Sequence, residues 1–246
     1  MKTYTPRPRE HAQECIEAYI LEQGLRANDS LPAEREMCRM WGLNRCTLRS
    51  AIAGLTAAGR LYAVQGSGTR VAPRFRRTLQ DLQSFTEYAA AGGFNAETRL
   101  LSFSTVECDK ALARRFRRTL GDLLYRITRL RILEQVPLMI ETAYIPVELA
   151  PGLEGQDLVT GSLFHILRNT YGLQLDHGIE RTGITLTAEE EARFLQIMPG
   201  ETAFWMESLT EAPDGTVIEF CRTLGRADRI EMASTLRWAG EQGGVS

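Results

Sequence analysis

Apolar side chains recur at intervals of three and four residues in three successive segments near the start of the chain, a period typical of amphipathic helices. The predicted helices cover residues 11–24, 33–41 and 45–58. Asn44 is the expected N-cap of the third helix because its side chain can accept a backbone N–H, and Gly59 follows the helix end. The pattern therefore predicts three short helices joined by tight turns.

Two short β-strands are predicted directly after the third helix, at residues 60–65 and 69–72. The glycines of Gly66-Ser67-Gly68 between them allow the positive φ of a tight hairpin turn. A hairpin that follows a helix-turn-helix is a wing. A Gly-x-Gly pair can also cradle a nucleotide phosphate, but here the lysine and the following helix of a P-loop are missing.

From about residue 78 onward, strand-like runs alternate with short helices. Seven strands are predicted, at residues 100–106, 123–133, 138–145, 179–186, 203–211, 217–225 and 231–238. Three helices are predicted between them, at residues 109–116, 162–171 and 187–197. Strand pairs with tight turns and short helices indicate an α+β domain built on an antiparallel sheet. We divide the chain into a first domain (1–73), a linker (74–80) and a second domain (81–246).

Charge is distributed unevenly between these domains. Residues 1–77 carry 13 Lys+Arg against 7 Asp+Glu, whereas the rest of the chain carries 16 against 24. Between Glu36 and Asp81 there are eight arginines and no acidic residue. A basic first domain on an acidic second domain indicates a polyanionic partner for the first, with a merely solvated basic face as the alternative.

Composition argues against several classes of protein. No apolar run approaches the ~20 residues that cross a bilayer, and the first residues lack the apolar segment of a signal peptide, so we expect a cytoplasmic protein without a membrane partner. The five cysteines are never spaced as Cys-x-x-Cys, which argues against a disulfide framework and a zinc ribbon. We expect no metal and no cofactor.

Two arginines at the start of the third predicted helix share one face. Arg45 and Arg49 are four residues apart, and Thr47 and Ser50 lie near them. In a DNA major groove an arginine can bind O6 and N7 of guanine, while hydroxyl groups can hold phosphates. Arg70 would flank the groove that the wing enters. The alternative is an exposed helix with solvated arginines.

Four segments of the first domain resemble the winged helix-turn-helix of GntR-type bacterial transcription regulators. They are Leu31-Pro-Ala-Glu-Arg-Glu36, Asn44-Arg-Cys-Thr-Leu-Arg49 with Ala51-Ile52, Leu55 through Gly59, and Gln65-Gly-Ser-Gly-Thr69. The resemblance implies DNA contacts from Arg35, Arg45, Thr47, Arg49 and Gly66.

Two arginines of the second domain also share a face. Arg129 and Arg131 are two residues apart on a predicted strand. Because like charges repel, this pair is most easily explained by an anion between them, since carboxylate and phosphate accept bidentate arginine bonds. Ser162, at the start of a predicted helix, offers a hydroxyl and backbone N–H groups to an anion. The alternatives are surface salt bridges for the arginines and a simple N-cap for Ser162.

Five segments of the second domain resemble, in order, the UTRA effector domain of the HutC subfamily, whose fold is similar to chorismate lyase. They are Tyr125-Arg-Ile-Thr-Arg-Leu-Arg131, Glu141-Thr-Ala-Tyr-Ile-Pro146, Gly161-Ser-Leu-Phe-His165, Tyr171-Gly172 and Arg226-Ala-Asp-Arg229. The resemblance covers about residues 80–240. It implies a domain that binds a small effector molecule.

The effector contacts implied by the resemblance are Arg129, Arg131 and Ser162 for the acidic part, Glu141 and Glu219 for the polar remainder, and a closing loop with Phe85 and Thr86. Two positions depart from the family pattern. Phe164 stands where a tyrosine is common, and Gly225 stands where many members have an aromatic side chain. We place Phe164 among the effector contacts.

These patterns together predict an effector-responsive, sequence-specific DNA-binding transcription regulator. The expected partners are double-stranded operator DNA, a small anionic metabolite (a phosphorylated sugar, phosphonate or carboxylate) and a second copy of the chain. The homodimer would read half-sites one helical turn apart. Because most relatives are repressors, we expect repression that the metabolite relieves.

The alternative function is an enzyme that uses the lyase-like second domain while tethered to DNA. His165, His177 and Asp176 are the candidates for metal or acid–base chemistry, and they lack a third partner at ligand spacing. Cys108 and Cys221 have no neighbouring histidine in the sequence to activate them. We therefore expect no catalytic residues.

Overall fold

The computed structural model of the chain describes residues 7–64, 68–72, 75–78 and 84–234. The chain forms two compact units, Met1–Phe75 and Arg76–Ser246. Each unit buries its own apolar side chains in its own core.

The first unit contains the three predicted helices, which are α1 (Pro8–Glu22), α2 (Glu34–Trp41) and α3 (Arg45–Ala57). Their apolar faces meet in one core, to which Ile16, Met37 and Leu48 contribute fully buried side chains. The predicted N-cap is confirmed, because Asn44 Oδ1 accepts the backbone N–H of Thr47 at 2.8 Å.

The predicted hairpin is present as β1 (Leu61–Val64) and β2 (Gly68–Val71), which pair antiparallel. Gly68 has φ +85°, in the region that favours glycine. The turn after α1 also joins this sheet, since Ser30 forms a β-bridge with Arg70. Gly66 lies outside the described residues.

The second unit is built on a six-stranded antiparallel sheet, which confirms the predicted α+β class. In chain order its strands are β4 (Ala96–Glu107), β5 (Leu123–Leu133), β6 (Val136–Pro146), β7 (His177–Leu186), β8 (Thr202–Glu211) and β9 (Val217–Arg226). Their order across the sheet is β4-β5-β6-β9-β8-β7. The central strands β5, β6 and β9 bury most of their residues, while the edge strands are largely exposed.

In the described part of the second unit, four helices accompany this sheet. They are α4 (Phe85–Ala91), α5 (Lys110–Phe116), α6 (Leu163–Asn169) and α7 (Glu189–Leu195), with 3-10 turns at Val147–Leu149 and Leu153–Gly155. A separate two-stranded sheet pairs β3 (Phe75–Thr78) with β10 (Ile230–Ala233). Residues 75–78, which we interpreted as linker, thus form a strand. Of the predicted last strand, residues 235–238 lie outside the described residues.

The two faces of the six-stranded sheet are covered differently. One face, here called the α6 face, carries Ile127, Ala143 and Cys221 in paired register and packs against α6. The opposite face, here called the α5–α7 face, packs against α5 at one end of the strands and against α7 at the other. Among the described residues, no helix is long and apolar enough to cross a membrane.

Candidate functional site

Two buried arginines occupy the α6 face of the sheet. Arg129 and Arg131 project from β5, and each side chain is only 3% exposed. The register places Glu141 of β6 directly opposite Arg129. Glu141 Oε2 accepts a hydrogen bond from Arg131 Nε at 2.7 Å and from Arg129 Nη2 at 3.4 Å. The anion expected between the two arginines is therefore supplied, in this structure, by a carboxylate of the chain itself.

Arg131 has further partners that hold it in place. Its Nη1 donates to Thr98 Oγ1 on β4 at 2.7 Å. Its guanidinium carbon lies 5.3 Å from the centroid of the Phe85 ring, within the range of a cation–π contact. Carboxylate, hydroxyl and aromatic ring together fix the position of this cation.

Arg129 has fewer hydrogen-bond partners than Arg131. Its Nε and Nη1 atoms are buried and have no hydrogen-bond partner among the described residues. Burial and the positive charge of Arg131 lower the pKa of Arg129 to about 10, so the group stays protonated at neutral pH. Glu141 and Glu219 oppose this shift. A buried cation with unpaired donors costs free energy, and that cost falls when a suitable acceptor binds.

Ser162 is the N-cap of α6, and its hydroxyl is already engaged. Its Oγ accepts the backbone N–H of His165 at 3.3 Å and donates to Ser84 Oγ at 3.0 Å. Ser84 is in turn the N-cap of α4, where it exchanges hydrogen bonds with Glu87. Ser162 therefore joins the starts of two helices beside the buried arginines.

A second contact fastens α4 to α6. The Glu87 carboxylate bonds the Arg168 guanidinium of α6. Partial desolvation of Glu87 opposes ionisation, but hydrogen bonds from Ser84 and the nearby Arg168 lower the pKa of this carboxyl overall. The carboxylate form, which the ion pair needs, is thus favoured at neutral pH.

The expected closing loop with Phe85 and Thr86 is wrong, because both residues belong to the first turn of α4. Phe85 is buried against Arg131, and Thr86 is half-buried. A signal for this helix was present in the sequence, since Ser84 and Glu87 have the spacing of a capping box. With only seven residues, α4 shows too little periodicity to stand out.

The two departures from the family pattern have different surroundings. Phe164 packs on the core of the α6 face, partly buried. Gly225 is paired with Phe204 of β8, and a Cβ at this glycine would lie 2.5 Å from Phe204 Cζ and 2.7 Å from Ile230 Cδ1. A ring from the neighbouring strand therefore fills the space above the glycine.

In the first unit, Arg45 and Arg49 lie side by side on the exposed face of α3, with side chains 75% and 71% exposed. Glu34 of α2 connects them, because its carboxylate lies 3.4 Å from Arg49 Nε and 4.0 Å from Arg45 Nη2. Sequence reasoning missed this role of Glu34. Arg35 is also exposed on α2.

The other expected DNA contacts of this unit are less accessible. Thr47 is half-buried, and its backbone N–H donates to the N-cap side chain of Asn44. Arg70 Nη1 donates to the backbone oxygen of Asn28 at 2.7 Å, so this side chain is fastened to the turn after α1.

Comparison with known proteins decides the family. Residues 8–71 match the bacterial regulatory proteins of the gntR family, and residues 91–231 match the UTRA domain. This chain is a GntR-family regulator with a UTRA domain. It is accordingly a DNA-binding transcription regulator, and GntR regulators bind operator DNA and effector metabolites.

Characterised relatives span almost the whole of this GntR regulator. It is 29% identical over 217 residues to the HTH-type transcriptional repressor NagR of Bacillus subtilis, covering 88% of this chain and 89% of NagR. It is 28% identical to the repressor PhnF of Mycolicibacterium smegmatis, covering 94% of each chain. The crystal structure of PhnF matches with a TM-score of 0.68 and 27% identity, covering 91% of this chain and 99% of that one.

The enzyme alternative finds no support in these relatives, which are named as transcriptional regulators. In the GntR regulator, His177 Nδ1 lies 2.9 Å from Asp176 Oδ2, and Nε2 lies 3.3 Å from Glu211 Oε2. His165 pairs instead with Asn169. The residues that the structure describes contain no group of three or more side chains positioned to hold a metal ion.

The packing around Gly225 leads to a stability prediction. Because an added methyl group would overlap the ring of Phe204, Gly225→Ala should destabilise the protein by about 1–3 kcal/mol, the usual cost of overpacking. Urea denaturation measures this change. Gly155→Ala is the matched control, since its methyl group would meet nothing within 4 Å. Equal stabilities for the two variants would contradict the packing described here.

Proposed function

We propose that this GntR regulator is a homodimeric repressor, and that a small anionic metabolite bound at Arg129 and Arg131 releases it from its operator. One observation carries the proposal: Arg129 is a buried cation whose Nε and Nη1 lack acceptors among the described residues. A phosphate, phosphonate or carboxylate group would supply those acceptors with charge-assisted bonds.

The carboxylates around the two arginines restrict the chemistry of such a ligand. Glu141 already neutralises part of the positive charge, so an incoming anion shares the arginines with it or displaces it. Glu141 and Glu219 are acceptors for hydroxyl or amine groups, which fits a ligand with an acidic end and a polar body. We keep Ser162, Phe164, Phe85 and Thr86 as further proposed contacts.

The names of relatives are consistent with this class of ligand. NagR and PhnF are named as repressors, as is the mannosyl-D-glycerate transport/metabolism system repressor MngR of Escherichia coli, which is 26% identical over 87% of this chain and 89% of its own length. Glycerate is a carboxylate. An acidic ligand with a sugar body therefore agrees with the chemistry of the arginine site.

The coupling between effector and DNA would run through α4. This helix begins directly after residues 79–83, through which the chain arrives from the DNA-reading unit. Its first turn touches Arg131 through Phe85 and Ser162 through Ser84. A ligand that changes the contacts of Arg131 or Ser162 changes the support of α4. The ligand then shifts the balance between a dimer that matches its half-sites and one that does not.

DNA reading is assigned to the exposed face of α3. Arg45 and Arg49 would enter the major groove, where each guanidinium can bind a guanine, and Glu34 holds both in place before DNA arrives. Arg35, Thr47, Gly66 and Arg70 are kept as proposed contacts to the DNA backbone or the minor groove.

A first test concerns DNA reading. Arg49→Ala should weaken binding to the operator by about 1–3 kcal/mol and relax base preference at one position, because a bidentate guanine contact is lost. Binding is measured by fluorescence anisotropy at fixed salt concentration. The control is Arg60→Ala, which removes an arginine of the same unit that pairs with Glu17 on α1. If both variants bind operator and random DNA like the parent, α3 is not the reading helix.

A second test concerns the effector site. Arg129→Gln removes the poorly satisfied cation, so we expect unchanged or higher stability without ligand and unchanged operator binding. Stabilisation and operator release by anions should both be lost, whereas a true ligand at 100 times Kd stabilises the parent by about 2.7 kcal/mol. The readouts are thermal shift and gel shift with sugar phosphates, phosphonates and sugar carboxylates.

The second test has two controls. The uncharged parent sugars should stabilise neither protein, and Arg99→Gln changes an exposed arginine that pairs with Glu97 on β4. Release of Arg129→Gln by the same anion at the same concentration as the parent would place the effector elsewhere.

A third test uses the carboxylate of the chain. Glu141→Gln leaves two buried guanidinium groups without their shared anion, so the variant should be less stable than the parent in anion-free buffer. Inorganic phosphate should raise its melting temperature more than that of the parent, because phosphate no longer competes with Glu141. A smaller response of the variant to phosphate would argue against an anion site at these arginines.

A further inference from the structure

The hydroxyl group of Ser162 belongs to a chain of hydrogen bonds that runs from α6 to α4 and back. Ser162 Oγ bonds Ser84 Oγ at 3.0 Å, and Ser84 Oγ bonds Glu87 Oε2 at 2.9 Å. The other carboxylate oxygen of Glu87 bonds the guanidinium group of Arg168. Arg168 returns the chain to α6, because its Nε donates to the backbone oxygen of Phe164 at 3.3 Å.

The chemistry of these groups fixes the direction of each bond. An ionised carboxylate can only accept hydrogen bonds, and a guanidinium group can only donate them. Although desolvation by burial opposes ionisation, hydrogen bonds from Ser84 and Arg168 lower the pKa of Glu87 overall, so its carboxylate is ionised at neutral pH. Ser84 therefore gives its only hydroxyl proton to Glu87, and Ser162 must give its own to Ser84.

The single hydroxyl proton of Ser162 can serve only one acceptor at a time. A serine hydroxyl has one donor and two acceptor lone pairs. On the acceptor side, Ser162 Oγ takes the backbone N–H of His165 at 3.3 Å. An anion without a proton of its own can bind this hydroxyl only by accepting the proton that Ser84 receives in this structure. A bond from Ser162 to such an anion and the bond from Ser162 to Ser84 therefore exclude each other.

The start of α4 also lies beside the buried arginines. Phe85 follows Ser84 directly, and its ring centroid lies 5.3 Å from the guanidinium carbon of Arg131. Ser162 is 8% exposed and Arg131 is 3% exposed, so both donors are shielded from water. The anion proposed at Arg129 and Arg131 would therefore lie close to the start of α4 and to Ser162.

We propose that Ser84 is a positioning residue that reports the effector, because Ser162 gives its proton to Ser84 in the operator-binding form and to the anion in the effector-bound form. Of the polar contacts between α4 and α6 that the structure describes, the Glu87–Arg168 ion pair then remains. Its side chains are 36% and 44% exposed, and exposed ion pairs contribute little. The effector thus loosens α4 directly after residues 79–83, through which the chain arrives from the DNA-reading unit. This inference rests on the effector site of the proposed function and specifies its regulation.

Ser84→Gly tests this exchange of partners in the full-length protein. The variant removes the hydroxyl group but keeps a residue that is accepted at an N-cap. Sulfate is the probe, because at neutral pH it has no proton and can only accept hydrogen bonds. Ser84→Gly should bind sulfate about two- to tenfold more tightly than the parent, and operator DNA about two- to tenfold more weakly, because one hydrogen bond no longer favours the operator-binding form. Thermal shift measures sulfate binding, and fluorescence anisotropy measures operator binding.

The opposite signs of these two changes separate the exchange from a loss of structure, which would weaken both kinds of binding. Sulfate should also weaken operator binding by a smaller factor in Ser84→Gly than in the parent, because the coupling between two ligands is reciprocal. Potassium chloride at equal ionic strength corrects for screening of the DNA charge. Arg129→Gln corrects for the general stabilisation of folded proteins by sulfate.

Two further variants serve as matched controls. Ser84→Thr keeps a hydroxyl group, so it should bind sulfate and operator DNA like the parent. Asp109→Gly removes the N-cap side chain of α5, another seven-residue helix of the second unit, and should change neither affinity.

The remaining outcomes would overturn the inference. If Ser84→Gly binds sulfate and operator like the parent, or binds both more weakly, the exchange at Ser84 is wrong and the effector site stands. The same holds if Asp109→Gly reproduces the changes of Ser84→Gly. A parent that sulfate stabilises no more than Arg129→Gln would instead contradict the effector site of the proposed function, and the exchange with it.

Discussion

Burying two guanidinium groups on one face of a β-sheet costs free energy unless their N–H groups find acceptors, and this requirement organises the second unit. Arg131 finds partners in Glu141, Thr98 and the ring of Phe85. Arg129 does not meet it fully within the described residues. Arg131 is held in place without a ligand, because its partners belong to the chain. Arg129 keeps N–H donors available for an anion that binds.

The helices near this site depend on the same contacts. Ser162 starts α6 and bonds Ser84, which starts α4, while Glu87 and Arg168 join the two helices further along. Arg131 is linked to these two helices by the contact of its guanidinium group with the ring of Phe85, the residue next to Ser84. A change at Arg131 therefore reaches the start of α4 through one aromatic contact.

The α5–α7 face of the same strands carries a second group of arginines. Side chains alternate along a strand, so Arg129 and Arg131 face the α6 side, while Arg126 and Thr128 face the α5–α7 side. The α6 face is closed over its arginines by α6 and α4. The α5–α7 face leaves Arg126 and Arg222 exposed. Burial therefore separates two sets of arginines that composition alone does not distinguish.

Local features were determined by the sequence itself. The cap at Asn44 follows from its side chain, which can accept a backbone N–H of the first helical turn. The shared face of Arg45 and Arg49 and the shared face of Arg129 and Arg131 on β5 follow from spacings of four and two residues, which fix side-chain direction within one element. The motifs likewise predicted both families of domain.

Contacts between distant elements were decided only by the tertiary structure. Glu34 beside Arg45 and Arg49, Thr98 beside Arg131, and Phe204 above Gly225 depend on how helices pack and on strand register. The sequence predicted that Arg129 and Arg131 share a face, but not that Glu141 would lie between them. The reason is physical: spacing along the chain fixes which way a side chain points, while its partner is set by the packing and register of the folded chain.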